Sequence, residues 1–283
     1  MLLKALKVTN AKGSVLDLPL EVVSGGFFVK DISGLGPVKA TLVSSSFASL
    51  DGEQYHSSKR EARNIVVKLG LDPDHGLYSV YDLRAELYTF FMPKTRAKLS
   101  FHMFNKFSES ILTQAFDVEI FGRIESFEVD LFTKEPSVDL SIMCFEPRFV
   151  DPEPVIFEGN SVTDLTETTL TYEGSEETGM IFEFEAHGAV PDLTVYHRPP
   201  DQSLKSLYFT EPMIAGDILT ISTITGAKTV TLKRDGVEHG MLHRLSTQSN
   251  WLELMPGENV FRVYSEGTIS PYTIEYTNKY GGL

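Results

Sequence analysis

The stretch LDGEQYHSSKREARNIVVKLGL, residues 50–71, decides how the rest of the chain reads. It opens on the turn dipeptide Asp51-Gly52 and continues as a polar approach carrying Lys59, Arg60 and Arg63. It ends in the apolar run Ile65, Val66, Val67, Leu69 and Leu71. That switch from polar to almost continuously apolar residues predicts a solvated loop delivering the chain into a buried strand. Nothing in it has the make-up of a catalytic centre, so packing is the first thing this sequence speaks about.

Working outward from that strand, the same grammar recurs on the N-terminal side. Short apolar stretches at 2–8 and 14–23 flank Asn10-Ala11-Lys12-Gly13, which predicts a hairpin. Gly25-Gly26 precedes Phe27, Phe28 and Val29, a strand entry. Gly34, Gly36 and Pro37 form a Gly-x-Gly without the third glycine or the following helix that a phosphate-cradling loop requires. They read as a bend before a strand at 38–43.

On the C-terminal side, the turn cluster Asp72-Pro73-Asp74-His75-Gly76 leads to the one convincing helix. Ser79 is an N-cap with Asp82 three residues on, and Val80, Leu83, Leu87, Phe90 and Phe91 recur at helical spacing before Pro93 stops the element. A single short helix between strands cannot bury its own apolar face, so it should pack on their sheet. Strands are expected at 98–104, 114–132 and 137–145, forming a long antiparallel hairpin with Gly122 as a turn or bulge. The segment Glu146-Pro147-Arg148-Phe149-Val150-Asp151-Pro152-Glu153-Pro154 reads as a stiff linker and sets the boundary between residues 1–150 and 151–283. Beyond it, strand-like runs at 168–172, 180–186, 193–196, 204–209, 217–223, 228–234, 260–264 and 272–276 alternate with turn signals such as Thr225-Gly226, Asp235-Gly236 and Pro256-Gly257. That pattern is the one all-β sandwiches show.

Composition excludes several function classes. The net charge is −14, from 39 acidic against 25 basic residues, which argues against binding a phosphate backbone. No apolar run reaches the roughly 18–20 residues needed to span a bilayer, and the opening MLLKALKVTNAKG breaks into polar residues too early for a signal peptide. The expectation is a chain made and kept in the cytosol. Its single cysteine, Cys144, excludes an internal disulfide framework and reads as a small core residue.

The chemistry-bearing candidates are thin. His239 and His243 in HGMLH have metal spacing for a helix, but Gly240 follows the first histidine and Asp235-Gly236 precedes it. No nucleophile motif occurs, no acidic loop has calcium spacing, and no motif calls for a cofactor. Glu183 and Glu185 would share one face of a strand, as the paired carboxyl groups of a glycosidase must, though a chain this acidic produces such pairs freely. Trp251, Tyr172, Tyr196, His197 and Arg198 are the residues to nominate for stacking on a sugar ring, with Tyr196 and Trp251 foremost. Core or interface packing is the competing reading of the same aromatics.

Taken together, several segments resemble the distal tail proteins (Dit) of long, non-contractile-tailed bacteriophages. They are DGEQY with its approach to RNIVVKLGL, then VYDLRAELYTFFMPK, then EIFGRIESFEVDLFTKEPSVDLSIMCFEPRF, and finally WLELMPGENVFRVYSEG and YTNKYGGL. The resemblance lies in their order and spacing. It implies a mainly β protein: an α+β ring-forming domain over 1–150, with one helix packed on antiparallel strands, and a galectin-like β-sandwich over 151–283. The last residues, about 15 of them, would be free to return to the first domain.

The resemblance also implies a structural, non-enzymatic role. The chain would form a homohexameric ring at the distal end of the tail tube, between the tail tube protein and the tail-associated hub protein, with receptor-binding or other accessory proteins on the outer domain. It would be synthesised in the host cytoplasm and end at the virion tail tip. A closed ring needs heterologous interfaces, in which one patch meets a different patch on the next copy. The polar loop 53–63, with Tyr55, Arg60 and Arg63, and the hairpin around Gly122 are the candidates for them. The competing reading is a carbohydrate-binding protein that holds cell-wall sugar on the sandwich, and a glycoside hydrolase is a distant third.

Overall fold

The computed structural model describes residues 2–47, 51–73, 79–105, 114–130 and 133–283. Leu50, the turn residues Asp74, His75 and Gly76, and Leu131 and Phe132 of the expected long hairpin lie outside the described residues. The chain divides into two compact units: unit 1 is Met1–Pro152 together with Gly281–Leu283, and unit 2 is Glu153–Tyr280.

Unit 1 contains β1 (Leu2–Asn10), β2 (Val15–Pro19), β3 (Phe27–Ser33), β4 (Ala40–Ser45), β5 (Gln54–Arg60), β6 (Arg63–Leu71), α1 (Val80–Phe91), β7 (Arg96–Asn105), β8 (Gln114–Asp130), β9 (Ser137–Cys144) and β10 (Phe149–Val150). Its main sheet runs β2-β1-β7-β8-β9-β6-β3, with β10 pairing on β8 through Val150 and Glu119. Every neighbouring pair along this path is antiparallel. Alternation sets the core face. Ile65, Val67, Leu69 and Leu71 of β6 and Val138, Leu140, Ile142 and Cys144 of β9 point inward and are buried.

The helix closes over this unit as its sequence requires. Ser79 Oγ accepts from the Asp82 amide at 3.3 Å while Asp82 Oδ2 accepts from the Ser79 amide at 3.0 Å, a reciprocal capping box. The Ser79 hydroxyl also donates to Asp82 Oδ2 at 2.7 Å, and that bond first, with the one from the Ser79 amide, holds the Asp82 carboxyl below its ordinary pKa. Leu83, Leu87, Phe90 and Phe91 are buried, and Tyr88 tilts against Phe127 of β8 with ring centroids 4.9 Å apart.

Three expectations for unit 1 are corrected. Residues 54–60 are not a loop; they are β5, which pairs with β4 from Ala40–Arg60 to Ser45–Gln54 as a separate two-stranded ribbon. Gly122 is neither a turn nor a bulge, because β8 runs straight through it and the register shift falls between Ile124 and Ser126. The glycine is there for space: a Cβ would stand 2.5 Å from Ile142 Cγ2 and 3.0 Å from Cys144 Sγ. The proline-rich stretch is not a stiff linker throughout, since Phe149 and Val150 form β10 inside unit 1, and the division between the units falls within it, after Pro152.

Unit 2 contains β11 (Val155–Asn160), β12 (Thr168–Tyr172), β13 (Thr178–Gly179), β14 (Ile181–Glu185), β15 (Leu193–Arg198), β16 (Lys205–Phe209), β17 (Ile218–Ser222), β18 (Thr229–Arg234), β19 (Val237–Gly240), β20 (Glu253–Leu254), β21 (Gly257–Ser265) and β22 (Pro271–Tyr276). One sheet runs β11-β22-β14-β17-β18-β19 and the other β12-β21-β15-β16, while β13 and β20 pair separately. Both sheets feed a single core that includes Leu170, Phe182, Phe184, Val195, Phe209, Leu219, Leu232, Phe261 and Ile274, so unit 2 is a β-sandwich. The β18–β19 turn places Asp235 at φ 52° and Gly236 at φ 79°, the left-handed pair that a tight hairpin demands.

Asp217 and His197 are among the polar residues buried in this sandwich. Asp217 accepts from Arg234 Nε at 2.9 Å and from the Ile214 amide at 2.9 Å, tying the far end of β18 to the approach to β17. Burial pulls the Asp217 pKa up, but these hydrogen bonds and the Arg234 charge outweigh it and leave the carboxyl below its ordinary value. His197 is fully buried, stacked on Phe261 at 4.4 Å, with Nε2 3.1 Å from Asn259 Oδ1.

Candidate functional site

The arginine that ends the polar approach does not stay on the surface. Arg63 is the first residue of β6, opposite Cys144 of β9, and only 1% of it is exposed. Guanidinium carries five donors in a rigid fork, and the chain meets several of them with main-chain oxygens. Nε donates to Pro147 O at 2.8 Å, Nη1 to Gly34 O and Gly36 O at 2.6 Å each, and Nη2 to Gly281 O at 2.6 Å. The guanidinium carbon lies 4.5 Å over the ring of Phe149. Arg63 therefore gathers segments from positions 34–36, 147–149 and 281 around one buried cation.

The Gly-x-Gly motif finds its use here. Gly34 has φ +86°, and a Cβ on it would come 2.0 Å from Asn64 O, so only glycine turns the chain tightly enough to aim its carbonyl at Arg63. The residues after unit 2 seal the arrangement: the Leu283 amide donates to Leu35 O at 2.9 Å, and a Cβ on Gly282 would stand 2.8 Å from Pro37 N. Cys144 belongs to the same neighbourhood. Burial pushes its thiol pKa up to about 11, and the Arg63 charge opposes that only in part.

The β4–β5 ribbon is the opposite case, because no residue of β5 is even half-buried. Leu42 is 67% exposed and Tyr55 60%, with Val43 and Phe47 also exposed. Polar contacts hold the arm to itself: Ser45 Oγ to His56 Nε2 at 2.7 Å, Tyr55 Oη to Ser58 Oγ at 3.0 Å, and Thr41 Oγ1 to Glu61 Oε1 at 2.8 Å. Arg60 is exposed near its base, opposite Ala40. The ring-interface candidates thus separate. Tyr55 and Arg60 stand on an exposed arm, whereas Arg63 and Gly122 are buried inside unit 1.

The residues nominated for sugar stacking are not gathered into one surface. Tyr172 and His197 are core residues, and Arg198 forms a close ion pair with Glu167. Tyr196 on β15 carries the Arg262 guanidinium 4.1 Å over its ring and meets Tyr208 edge-on at 6.3 Å. Trp251 packs half-buried against the sandwich core beneath Lys228, which sits 5.2 Å from its ring. Glu183 and Glu185 do share the exposed face of β14. His239 lies on β19 and His243 in the one-turn helix Leu242–Arg244, so they are not on a common helical face. Among the described residues, no group of three or more His, Cys, Asp or Glu is arranged to hold a metal, and no helix is long and apolar enough to cross a membrane.

Sequence reasoning found the exposed arm's residues but mistook their conformation, and it missed the receptor of Arg63 altogether. The available signal was glycine at 34, 36 and 281, which has no periodicity to draw attention to it.

Comparisons with known proteins agree with this architecture. Residues 21–133 match the phage tail protein RIFT-related domain, and residues 173–280 match the siphovirus-type tail component, C-terminal domain. Among solved structures, the Dit protein (gp 19.1) of phage SPP1, described as a paradigm of the hub adsorption apparatus in phages infecting Gram-positive bacteria, aligns with 98% of this chain and 99% of its own. Its TM-score is 0.65 and its sequence identity 16%, which is a likeness of fold. A chain of the phage P2 baseplate, in its activated conformation with Ca, aligns over 100% of both chains with a TM-score of 0.45 and 10% identity. No curated protein sequence matches the chain.

Proposed function

This chain belongs to the siphovirus-type tail components, in the distal tail (Dit) family, and from that premise we propose that it assembles into a hexameric ring at the distal end of the tail tube. In this reading unit 1 forms the ring, between the tail tube protein and the hub and host-recognition apparatus. Unit 2 is the outward sandwich to which accessory or receptor-binding proteins attach. The role is structural and makes or breaks no bond. The hub adsorption apparatus named for SPP1 Dit supports placing the chain at the virion tail tip.

One observation carries the ring: the β4–β5 arm. A two-stranded ribbon is at best marginally stable alone in water, yet among the described residues this one exposes Leu42, Val43 and Tyr55 and pairs with no other strand. Such an arm gains stability by lying on another surface. Laid on a different patch of the next copy, it makes the heterologous contact from which closed rings are built. Tyr55 and Leu42 supply its apolar anchors and Arg60 the charge at its base.

The test is solution mass by light scattering over a range of concentrations, with negative-stain images of the largest species. A hexamer of 31.6 kDa copies that dissociates in Leu42→Glu and Tyr55→Glu is the expected result. A chain that stays monomeric at every concentration, and forms no ring when tail tube and hub proteins are added, removes the proposal.

A further inference from the structure

We infer that Arg63 and Gly281–Leu283 form a completion latch: unit 1 reaches its closed state only when residues that follow unit 2 in the chain have been seated. Unit 1 holds Met1–Pro152 and then, after all of unit 2, only Gly281–Leu283. Those three residues are not trailing surface chain. Gly281 O receives Nη2 of Arg63 at 2.6 Å, Gly282 packs so closely on the 36–37 backbone that a Cβ would sit 2.8 Å from Pro37 N, and the Leu283 amide donates to Leu35 O at 2.9 Å.

The physical driver is the buried cation. Arg63 begins the strand paired with β9 and β3, so it is carried inward whenever β6 joins the sheet. With 1% of the residue exposed, each guanidinium N–H must find an acceptor inside the protein, since a buried donor left unmade costs the full desolvation of that group. Four main-chain acceptors of the fork lie in three separate segments. Gly34 and Gly36 precede β6, and Pro147 follows β9, so a growing or refolding chain has them as soon as the main sheet forms. Gly281 comes 218 residues after Arg63. Until it arrives, the fork lacks its Gly281 acceptor, and the 34–37 bend lacks the strap that lies across it. The latch thus makes the soundness of unit 1 report on passage through unit 2, so that a chain interrupted within unit 2 cannot present a finished unit 1. The inference stands independently of ring formation.

The experiment is hydrogen exchange resolved by segment on three chains: the full chain, one lacking Gly281–Leu283, and G282A, which keeps the length and lifts the strap. The latch predicts that both variants exchange about 10- to 100-fold faster at 34–37, 63–65 and 147–149, the range a lost hydrogen bond to a charged group commands. The amides of β14 and β17 in unit 2 should keep the rate of the full chain. In pulse-labelled refolding of the full chain, protection at 34–37 and 63–65 should appear no earlier than protection of β14 and β17. Unchanged exchange around Arg63 in both variants overturns the inference, as does loosening spread equally over both units, or protection at 63–65 that precedes unit 2. Should the shortened chain fail to fold, G282A alone decides.

Discussion

Arg63 stacks on Phe149, with its guanidinium carbon 4.5 Å from the ring centroid, and Phe149 in turn meets Phe101 edge-on at 5.7 Å. The cation is therefore set between an aromatic face and a ring of carbonyls. A planar, weakly hydrated guanidinium loses less on leaving water than an ammonium does, and an aromatic face supplies attraction that needs no carboxylate. This is the chemistry by which the largest fully buried side chain among the described residues can be a charged one.

Replacing Arg63 separates the fork from the charge. Arg63→Met fills the volume but leaves the carbonyls of Gly34, Gly36, Pro147 and Gly281 without that donor, and should lower stability by about 3 kcal/mol or more. Arg63→Lys keeps a cation whose point charge cannot reach all four acceptors, and most of the loss should remain. Urea titration of the three proteins checks this. A lysine variant as stable as the parent would mean that charge alone matters.

Gly122 gives a packing prediction. Gly122→Ala should cost about 1–3 kcal/mol, since the added methyl must displace Ile142 Cγ2 from the middle of a continuous strand pair. A thermal melt measures it. Coupling it with Ile142→Leu, which has no Cγ2, should recover part of the loss, and no recovery would show that the backbone, through Met143 O at 3.3 Å, is the true obstacle.

His197 makes acid a specific stress on unit 2. Burial lowers its pKa from 6.5 to about 4, with the Asn259 hydrogen bond acting in the opposite direction and the nearby charges of Lys205 and Asp201 nearly offsetting one another in sign. The folded state thus holds the neutral ring while the unfolded chain takes up a proton. This stability is complete above pH 6.5 and is lost as pH falls toward 4, by about 3 kcal/mol over that window. His197→Gln keeps a donor for Asn259 and cannot titrate. Its denaturation midpoint should fall less steeply than the parent's between those values, and parallel curves would refute the assignment.

Arg234 and Asp217 test the other buried charge. Arg234→Leu leaves the Asp217 carboxylate inside the sandwich with only the Ile214 amide among these partners, and should destabilise by about 3–5 kcal/mol at neutral pH. The depressed carboxyl pKa of the parent means the pair's stability is present above the ordinary carboxylate range and is lost as pH falls below it. Lowering the pH should therefore narrow the gap between the two proteins. Asp217→Asn combined with Arg234→Leu should be more stable than Arg234→Leu alone, and calorimetry of the pair would show whether it is.

Much of the fold was legible because its causes are local. The period-two burial of β6 and β9, the Ser79–Asp82 box and the left-handed Asp235-Gly236 turn each follow from residues a few positions apart. The short strands β13, β19 and β20 were missed, since two to four residues with few apolar positions carry no periodicity and are strands only because a neighbour pairs with them; β11 was missed as well, its Val155-Ile156-Phe157 start following directly on the proline-rich stretch. Of the arm, β4 overlaps the strand expected at 38–43, while β5 read as a loop for a related reason. With both faces exposed it has no apolar alternation, so polar residues in strand conformation look the same as polar residues in a turn.

The sequence by itself determined that this is a mainly β chain with a capped helix, because those properties depend on residue type and short-range spacing. Only the tertiary structure decided which polar residues face outward. Arg60 and Arg63 stand three positions apart in the same basic approach, yet one is exposed beside the arm and the other is buried under Phe149. The difference lies in acceptors supplied by positions 34, 36, 147 and 281. Such distant carbonyls come together only after the chain has folded, so no local pattern records them.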